Sequence, residues 1–109
     1  MSLLSWVSSL RIQPRHYDST RLMHYLYVLK SKQDGELYVG STTDLRRRLI
    51  EHNKGLVAFT KARRPLVLVY YEAYASLEDA RLRESRLKQR GQARVQLMYR
   101  INKSLQVES

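Results

Sequence analysis

Three runs of apolar residues along the chain predict three β-strands. Residues 24–30 are rich in β-branched and aromatic side chains and are almost continuously apolar, which indicates a strand buried on both faces. The Asp-Gly pair at positions 34–35 is a hairpin-turn signal, so residues 36–40 are expected to return as a second, antiparallel strand. Pro65 begins a third run, residues 66–73, which the pattern predicts to be another buried strand.

Apolar residues at helical spacing predict a helix directly after the second strand. It covers about residues 43–53, where Leu45, Leu49 and Ile50 are expected to form the buried face. Asp44 suits the positive end of the helix dipole. The hydroxyl residues expected to cap the free N–H groups of the first turn are Ser41, Thr42 and Thr43.

Two further helices are predicted after the third strand. Ser76 begins a capping-box-like signal for a helix that runs to about residue 89, and Gly91 ends it. The last helix is predicted from residue 92 to about residue 105. Its inward-facing residues are predicted to be Val95, Met98, Ile101 and Leu105. The element order is therefore ββα-β-αα, which is that of a small mixed α/β (α+β) domain.

Length and composition predict one folded domain. The 109 residues have room for one hydrophobic core, and we assign the domain to residues 23–105. Residues 1–22 form a serine-rich N-terminal extension. Its pattern allows three interpretations, which are a poorly ordered segment, a helix on the domain surface and an organelle transit peptide. Residues 106–109 are assigned to a C-terminal tail, and a cytoplasmic location is expected.

The strongest global feature of the sequence is its positive charge. A net charge of +10, from 20 Lys and Arg against 10 Asp and Glu, predicts attraction to polyanions. Most basic residues are interleaved with tyrosines after Met23, which favours nucleic acid over an anionic membrane surface. The lack of cysteine excludes a disulfide scaffold, cysteine-ligated zinc and thiol catalysis. No apolar run approaches the roughly 20 residues that span a bilayer.

Residues 38–52 form a strand-to-helix corner that carries an unusual set of side chains. Tyr38 lies near the strand end, Arg48 lies at the edge of the apolar helix face, and His52 follows one turn later on the same side. Tyr27 lies on the neighbouring strand. A strand tyrosine is most often core packing, and helix arginines are most often solvated. Arginine nevertheless binds phosphate through its planar fork, and histidine exchanges protons near neutral pH.

Glu84 interrupts the apolar stripe that Leu77, Ala80 and Leu87 form on the second predicted helix. A carboxylate on such a stripe is costly unless it is paired or binds a cation. One interpretation is therefore a residue that anchors Mg²⁺ together with waters and a substrate phosphate. The other is an edge position that reaches solvent, or a salt bridge to a basic neighbour on the same helix. These neighbours are Arg81, Arg83 and Lys88.

The sequence lacks the motifs of several well-known catalytic classes. There is no glycine-rich phosphate loop with its lysine, no HExxH pair, no nucleophile elbow and no clear pair of acid/base carboxylates. The residues that remain are phenols, a guanidinium, an imidazole and one isolated carboxylate. This set is suited to attack of water on a phosphodiester, with a metal and an arginine offsetting the developing charge.

The sequence resembles the GIY-YIG nuclease family, in particular its small stand-alone bacterial members. The first motif is present as YLY at 25–27, where Tyr and Leu replace Gly and Ile, and the second as YVG at 38–40. The blocks that match the small members are YLYVL, DGELYVGSTTDLRRRLIEHNKG, TKARRPLVLVYYE and DARLRESRLK. The resemblance covers residues 23 to about 101 and implies the family's fold, a central three-stranded antiparallel sheet flanked by helices.

The resemblance also implies roles for the residues at matching positions. Tyr27 and Tyr38 look like the motif tyrosines, one of which acts as the general base or orients the water. Arg48 matches the arginine that stabilises the scissile phosphate, and His52 matches the histidine that supports proton transfer. Glu84 looks like the glutamate that binds the divalent metal, Mg²⁺ or Mn²⁺.

These observations predict a metal-dependent endonuclease that acts on single-stranded or branched DNA, without membrane association, as a monomer or a homodimer. The basic residues expected to contact the nucleic acid are Arg46, Arg47, Lys61, Arg63, Arg64 and Lys88. Two alternatives belong to other classes. One is a non-catalytic nucleic-acid-binding module with the same fold, and the other is a basic adaptor whose N-terminal segment docks a protein partner.

Overall fold

The computed structural model describes residues 22–106, so most of the predicted N-terminal extension and C-terminal tail lie outside the described residues. The strands are β1 (His24–Ser31), β2 (Leu37–Thr42) and β3 (Leu66–Tyr74), and the helices are α1 (Leu45–Asn53), α2 (Leu77–Lys88) and α3 (Gln92–Arg100). Short 3₁₀ turns occupy Lys61–Arg63 and Ser104–Gln106. The predicted element order is confirmed. No helix in this part of the chain is long and apolar enough to cross a membrane.

The sheet has the strand order β2-β1-β3, and both strand pairs are antiparallel. The central position of β1 explains its continuous apolar run, since residues 26–29 are buried alternately on the two faces of the sheet. The prediction for β3 is only partly correct. This strand lies at a sheet edge, where Leu66 is buried but the following residues are half-buried or exposed, including Tyr71. Tyrosines suit such a position because the ring can pack while the hydroxyl reaches water or a polar partner at the edge.

Two apolar clusters lie on opposite faces of the sheet. The cluster beneath α2 and α3 consists of Leu26, Val28, Val39, Leu87, Leu97 and Ile101. The cluster beneath α1 consists of Tyr27, Leu29 and Leu66, with Tyr38, Leu45, Leu49 and Leu68 packed against it. Alternate side chains of β1 therefore pack into the two clusters, which is why a strand with almost no polar positions is stable here. The fold is the predicted α+β arrangement of a three-stranded antiparallel sheet flanked by helices.

The start and the inner face of α1 differ from the prediction. Asp44 is the N-cap, because its side chain accepts a hydrogen bond of 3.0 Å from the backbone N–H of Arg47. The predicted hydroxyl caps do not fill this role, since β2 extends through Thr42 and carries Ser41 with it. Ile50, expected in the buried face, is exposed, whereas His52 is completely buried.

The inner face of α3 is also different from the one predicted. Val95 is 62% exposed and Met98 is exposed as well, whereas Leu97 is 5% exposed. The helix ends at Arg100, and Leu105 lies in the following 3₁₀ turn rather than in the helix. Several spacings in this segment fit a helical period, and only contact with the sheet selects the one that is buried. Of the predicted inward residues, Ile101 is buried and Leu105 is half-buried.

The corrected face of α3 predicts a difference between two truncations. Leu97→Ala should lower the free energy of unfolding by about 2–5 kcal/mol, because it leaves a cavity in the cluster beneath α2 and α3. Val95→Ala, on the exposed side of the same helix, should change it by no more than about 0.5 kcal/mol. Urea unfolding of both variants measures the difference. Equal losses would contradict this assignment of the buried face.

Candidate active site

Three buried polar side chains form a continuous chain of hydrogen bonds between the sheet and α1. The Tyr27 hydroxyl on β1 lies 2.9 Å from Nε2 of His52 on α1. Nδ1 of His52 lies 2.7 Å from the hydroxyl of Thr60, in the loop that follows α1. His52 and Thr60 are each 0% exposed, and Tyr27 is 2% exposed. Each polar atom of the chain therefore has a partner in place of water.

Gly40 is required by the Tyr27 ring that lies against it. The two residues are paired across the β1–β2 ladder, and a Cβ on Gly40 would lie 2.5 Å from the Tyr27 hydroxyl oxygen. The backbone of Gly40 does not have a positive φ. Close approach to the phenol, rather than backbone freedom, therefore explains why the second motif ends in glycine.

Tyr38 and Phe59 extend the site towards solvent. The Tyr38 ring lies 5.1 Å from the His52 ring and 6.4 Å from the Tyr27 ring, measured between centroids. Its other side approaches Phe59 at 5.6 Å, and the guanidinium of Arg63 lies over the Phe59 ring at 5.4 Å. Both predicted tyrosines therefore lie beside the predicted histidine. Tyr27 provides its buried contact, while Tyr38 is half-buried at the opening.

Arg48 and burial set the protonation states of the phenol and the imidazole. Burial raises the pKa of Tyr27 above its usual value, although the hydrogen bond with Arg48 opposes this shift. Burial, followed by repulsion from the Arg48 guanidinium, lowers the pKa of His52. Arg48 also donates a hydrogen bond of 3.1 Å to Glu51. Near neutral pH the site therefore contains a protonated phenol and a neutral imidazole.

Glu84 lies on the inner stripe of α2, between the buried residues Ala80 and Leu87. Its Oε1 accepts a hydrogen bond of 2.7 Å from Ser41, and its Oε2 lies 2.7 Å from the Lys88 ammonium. Burial alone would raise the pKa of Glu84, but the bonds from Lys88 and Ser41 hold it below its usual value. The salt bridge considered from the sequence is therefore present. Because Ser41 follows Gly40, Glu84 is also connected to the Tyr27 corner.

The position of α2 is fixed by the residue before Glu84. Arg83 contacts both carboxylate oxygens of Glu72 on β3, with Nε at 3.1 Å from each. The hydroxyls of Tyr70 and Tyr74 donate to the same carboxylate. This half-buried network stabilises the register of α2 against the sheet and, with it, the location of Glu84.

The predicted metal ligand fits a site made by a single carboxylate. Within residues 22–106 no group of three or more His, Asp or Glu side chains is arranged to hold a metal ion. Glu84 and the adjacent Ser41 hydroxyl offer hard oxygen donors, and Glu84 is 19% exposed. Mg²⁺ is commonly bound by one or two carboxylates, with waters and a substrate phosphate completing its octahedral shell.

The predicted nucleic-acid contacts line different depressions of the described part of the chain. Arg63 and Lys88 line a groove of about 740 Å³ together with Tyr38, Phe59, Arg90 and Arg94. Lys61 and Arg64 line a separate depression. Arg46 lines a third depression beside Tyr25 and Tyr71. Arg47 is exposed, and its Nε lies 3.9 Å from Oε2 of Glu51. Arg90 and Arg94 were not among the predicted contacts, although residues 81–103 contain eight basic side chains and one acid, Glu84.

Two site residues were not identified as partners from the sequence. Ser41 was expected to cap α1 and instead donates to Glu84. Thr60 lay in a segment predicted only as a basic loop, and it contacts His52 from eight residues away. No local pattern marks either contact, because each joins side chains that only the tertiary fold brings together.

The fold is an antiparallel three-stranded sheet, and tyrosines, an arginine and a histidine lie at its strand-to-helix corner. Both features agree with the domain that the sequence motifs predict. A model of the GIY-YIG catalytic domain matches residues 23–97. The chain belongs to the GIY-YIG family, which is a family of nucleases.

Relatives of similar size share this domain. The chain is 50% identical over 66 residues to a UPF0213 protein of Bacillus pumilus, covering 60% of the chain and 66% of the relative. It is 48% identical over 67 residues to a UPF0213 protein of Streptococcus pneumoniae, covering 61% and 67%. A UPF0213 protein of Halobacterium salinarum is 40% identical over 78 residues, covering 71% of the chain and all of the relative. These names state no activity, and no solved structure matches the chain.

The Lys88–Glu84 pair predicts a change in the acid dependence of stability. Replacing Lys88 by Gln should raise the pKa of Glu84 towards its ordinary value of 4.5, because the ammonium favours the charged carboxylate. A lowered folded-state pKa stabilises the fold above the unfolded-state value, and that contribution is lost as the pH falls through the folded-state pKa. The variant should therefore lose about 0.5 kcal/mol near neutral pH and match the wild type in acid.

Urea unfolding at a series of pH values and ¹³C NMR titration of Glu84 measure the two effects. Arg86→Gln is the matched control, because it removes one positive charge from an exposed position on the same helix. A Glu84 pKa that does not change in Lys88→Gln, or changes equally in Arg86→Gln, would contradict the assigned ion pair.

Proposed function

We propose that the protein is a divalent-metal-dependent endonuclease that hydrolyses DNA phosphodiester bonds in single-stranded or branched substrates. The observation that carries this proposal is the convergence of Tyr27, Arg48 and His52 at one corner. Glu84 is connected to that corner through Ser41. Family membership supports nuclease chemistry in general.

In the proposed mechanism the Tyr27 hydroxyl orients the attacking water and passes on its proton. As the water oxygen forms its bond to phosphorus, its proton moves to the Tyr27 oxygen while the Tyr27 proton moves to Nε2 of His52. The raised pKa of Tyr27 and the neutral state of His52 support this relay over a pre-formed phenolate. The bond to the leaving oxygen breaks in line, and solvent protonates that oxygen.

Charge on the phosphate is offset by the remaining side chains. Arg48 presents a guanidinium beside the Tyr27 hydroxyl, where it would contact the non-bridging oxygens. Glu84, with the Ser41 hydroxyl, would hold Mg²⁺ or Mn²⁺, which supplies Lewis-acid stabilisation of the transition state when bound. Tyr38 packs against the His52 ring and keeps it facing Tyr27.

The groove beside Tyr38 supports a preference for unpaired strands. It combines the aromatic rings of Tyr38 and Phe59 with the basic side chains of Arg63, Arg90 and Arg94. Aromatic platforms beside a basic track suit single-stranded nucleic acid, whose bases are free to stack. One catalytic corner per chain would cut one strand, so double-strand cutting would require a homodimer or two encounters.

A non-catalytic nucleic-acid-binding module is the second candidate. It is favoured by one observation, which is that the Glu84 carboxylate already has both oxygens in contact with Ser41 and Lys88. In a module of this kind the carboxylate would hold α2 against β2 and would bind no metal. The two candidates make different predictions for the same assay.

Cleavage of end-labelled DNA separates the two candidates. Single-stranded, duplex and branched substrates are incubated with Mg²⁺, Mn²⁺ or EDTA. Wild type should cut in the presence of either metal, and Glu84→Gln should cut about 10²-fold or more slowly while still binding DNA. Glu78→Gln, on the exposed first turn of α2, is the matched control and should retain activity. DNA binding without cutting under every metal would favour the non-catalytic module.

The groove assignment predicts a change in salt dependence at Arg63. Arg63→Ala should weaken DNA binding uniformly across sequences and reduce the slope of log affinity against log salt by about one, because one phosphate contact is lost. Fluorescence anisotropy at several salt concentrations gives the slope. Arg86→Ala removes the same charge from an exposed residue that does not line the groove and should leave the slope nearly unchanged. An unaltered slope in Arg63→Ala would remove this residue from the interface.

A further inference from the structure

The contacts of the Tyr27 hydroxyl determine which way its hydrogen bond to His52 runs. Tyr27 is buried, and in the described part of the chain its hydroxyl is hydrogen-bonded to Nε2 of His52, with the Arg48 guanidinium nearby. Arginine has only donor groups, so it cannot accept the phenol proton. Nε2 of His52 is therefore the acceptor for the Tyr27 O–H and carries no proton of its own.

This direction fixes the other end of the imidazole. A neutral imidazole carries one N–H, so an unprotonated Nε2 requires the hydrogen to be on Nδ1. Nδ1 lies 2.7 Å from the hydroxyl oxygen of Thr60, which is completely buried and accepts this N–H. In either direction one hydroxyl proton lacks an acceptor among these contacts, that of Thr60 here and that of Tyr27 if Nε2–H donates. A phenol is a stronger hydrogen-bond donor than an alcohol, and an alcohol oxygen is the better acceptor for an N–H, so the direction in which Tyr27 donates to Nε2 is favoured.

We propose that Thr60 is a positioning residue that fixes His52 as the Nδ1–H tautomer and so keeps Nε2 facing Tyr27 as a proton acceptor. Thr60 acts through His52, because it is buried and does not line the opening of the site. The tautomer assignment stands on the hydrogen-bond geometry alone. The catalytic consequence rests on the proposed function.

The loop after α1 is held in a way that suits this role. Asn53, the last residue of α1, accepts from the backbone N–H of Leu66 at 2.8 Å and donates to its carbonyl at 3.0 Å. The Ser31 hydroxyl donates to the carbonyl of Arg63 at 2.7 Å. The carbonyl of Thr60 accepts a hydrogen bond of 2.9 Å from the backbone N–H of Arg63. Thr60 therefore reaches His52 from a segment fixed at both ends to the sheet.

The tautomer is read directly from ¹⁵N NMR of histidine-labelled full-length protein. The signals of His52 are assigned by their loss in His52→Gln, which separates them from His16 and His24. Wild type should show a protonated Nδ1 and an unprotonated Nε2. Thr60→Val, which keeps the shape of the side chain but cannot accept a hydrogen bond, should shift His52 towards the Nε2–H tautomer. Thr60→Ser retains the hydroxyl and should keep the wild-type pattern.

The same variants test the consequence for cleavage. Thr60→Val should lower kcat for DNA cleavage about 10²-fold with little change in KM, because a misdirected acceptor affects only the reaction step. Thr60→Ser should recover most of the wild-type kcat. Thermal unfolding and amide spectra establish that each variant is folded, and Thr60→Ser provides the comparison if Thr60→Val does not fold.

Each outcome decides a separate part of the proposal. An Nε2–H tautomer in wild type, or the Nδ1–H tautomer unchanged in folded Thr60→Val, would overturn the assignment to Thr60. A changed tautomer with unchanged kcat would overturn the positioning role. If wild type cuts no DNA, the proposed function fails, while the NMR result still decides whether Thr60 fixes the tautomer.

Discussion

The structure depends on one buried hydrogen bond, between the Tyr27 hydroxyl on the central strand and the His52 imidazole on α1. A polar pair inside an apolar layer is stable only if every donor and acceptor is satisfied. This requirement accounts for the neighbours of the pair. Gly40 leaves space for the phenol, the Thr60 hydroxyl pairs with Nδ1 of the imidazole, and the positive charge of Arg48 lies near the same phenol. A contact that joins the layers of the fold is thus also the centre of the candidate active site.

The second constraint is a carboxylate on the inner stripe of α2. Glu84 lies between buried apolar residues of α2, where an unpaired carboxylate would be costly. Ser41 and Lys88 satisfy it, and the network of Arg83 with Glu72 holds the helix in register. The same contacts therefore stabilise the packing of α2 and determine where a cation would be bound.

Helical periodicity predicted where helices form more reliably than which face they bury. In α1, Leu45 and Leu49 pack against the apolar cluster as predicted, but the fully buried residue is His52, and Ile50 is exposed. In α3 the buried stripe passes through Leu97 and not Val95. Several spacings fit a 3.6-residue period over a short helix, and the angle at which the helix meets the sheet selects among them. No local pattern in the sequence predicts that angle.

Taken alone, the sequence determined the element order, the burial of β1 on both faces and the family motifs, because each depends on residues close together in the chain. It also identified Tyr27, Tyr38, Arg48, His52 and Glu84 as residues of interest. Only the tertiary structure decided their partners, which lie 25 residues apart for Tyr27 and His52 and 43 apart for Ser41 and Glu84. It likewise placed Arg63 and Lys88 in a groove with Tyr38 and Phe59. Such pairings follow from the packing of helices on a sheet, and periodicity within one segment carries no information about them.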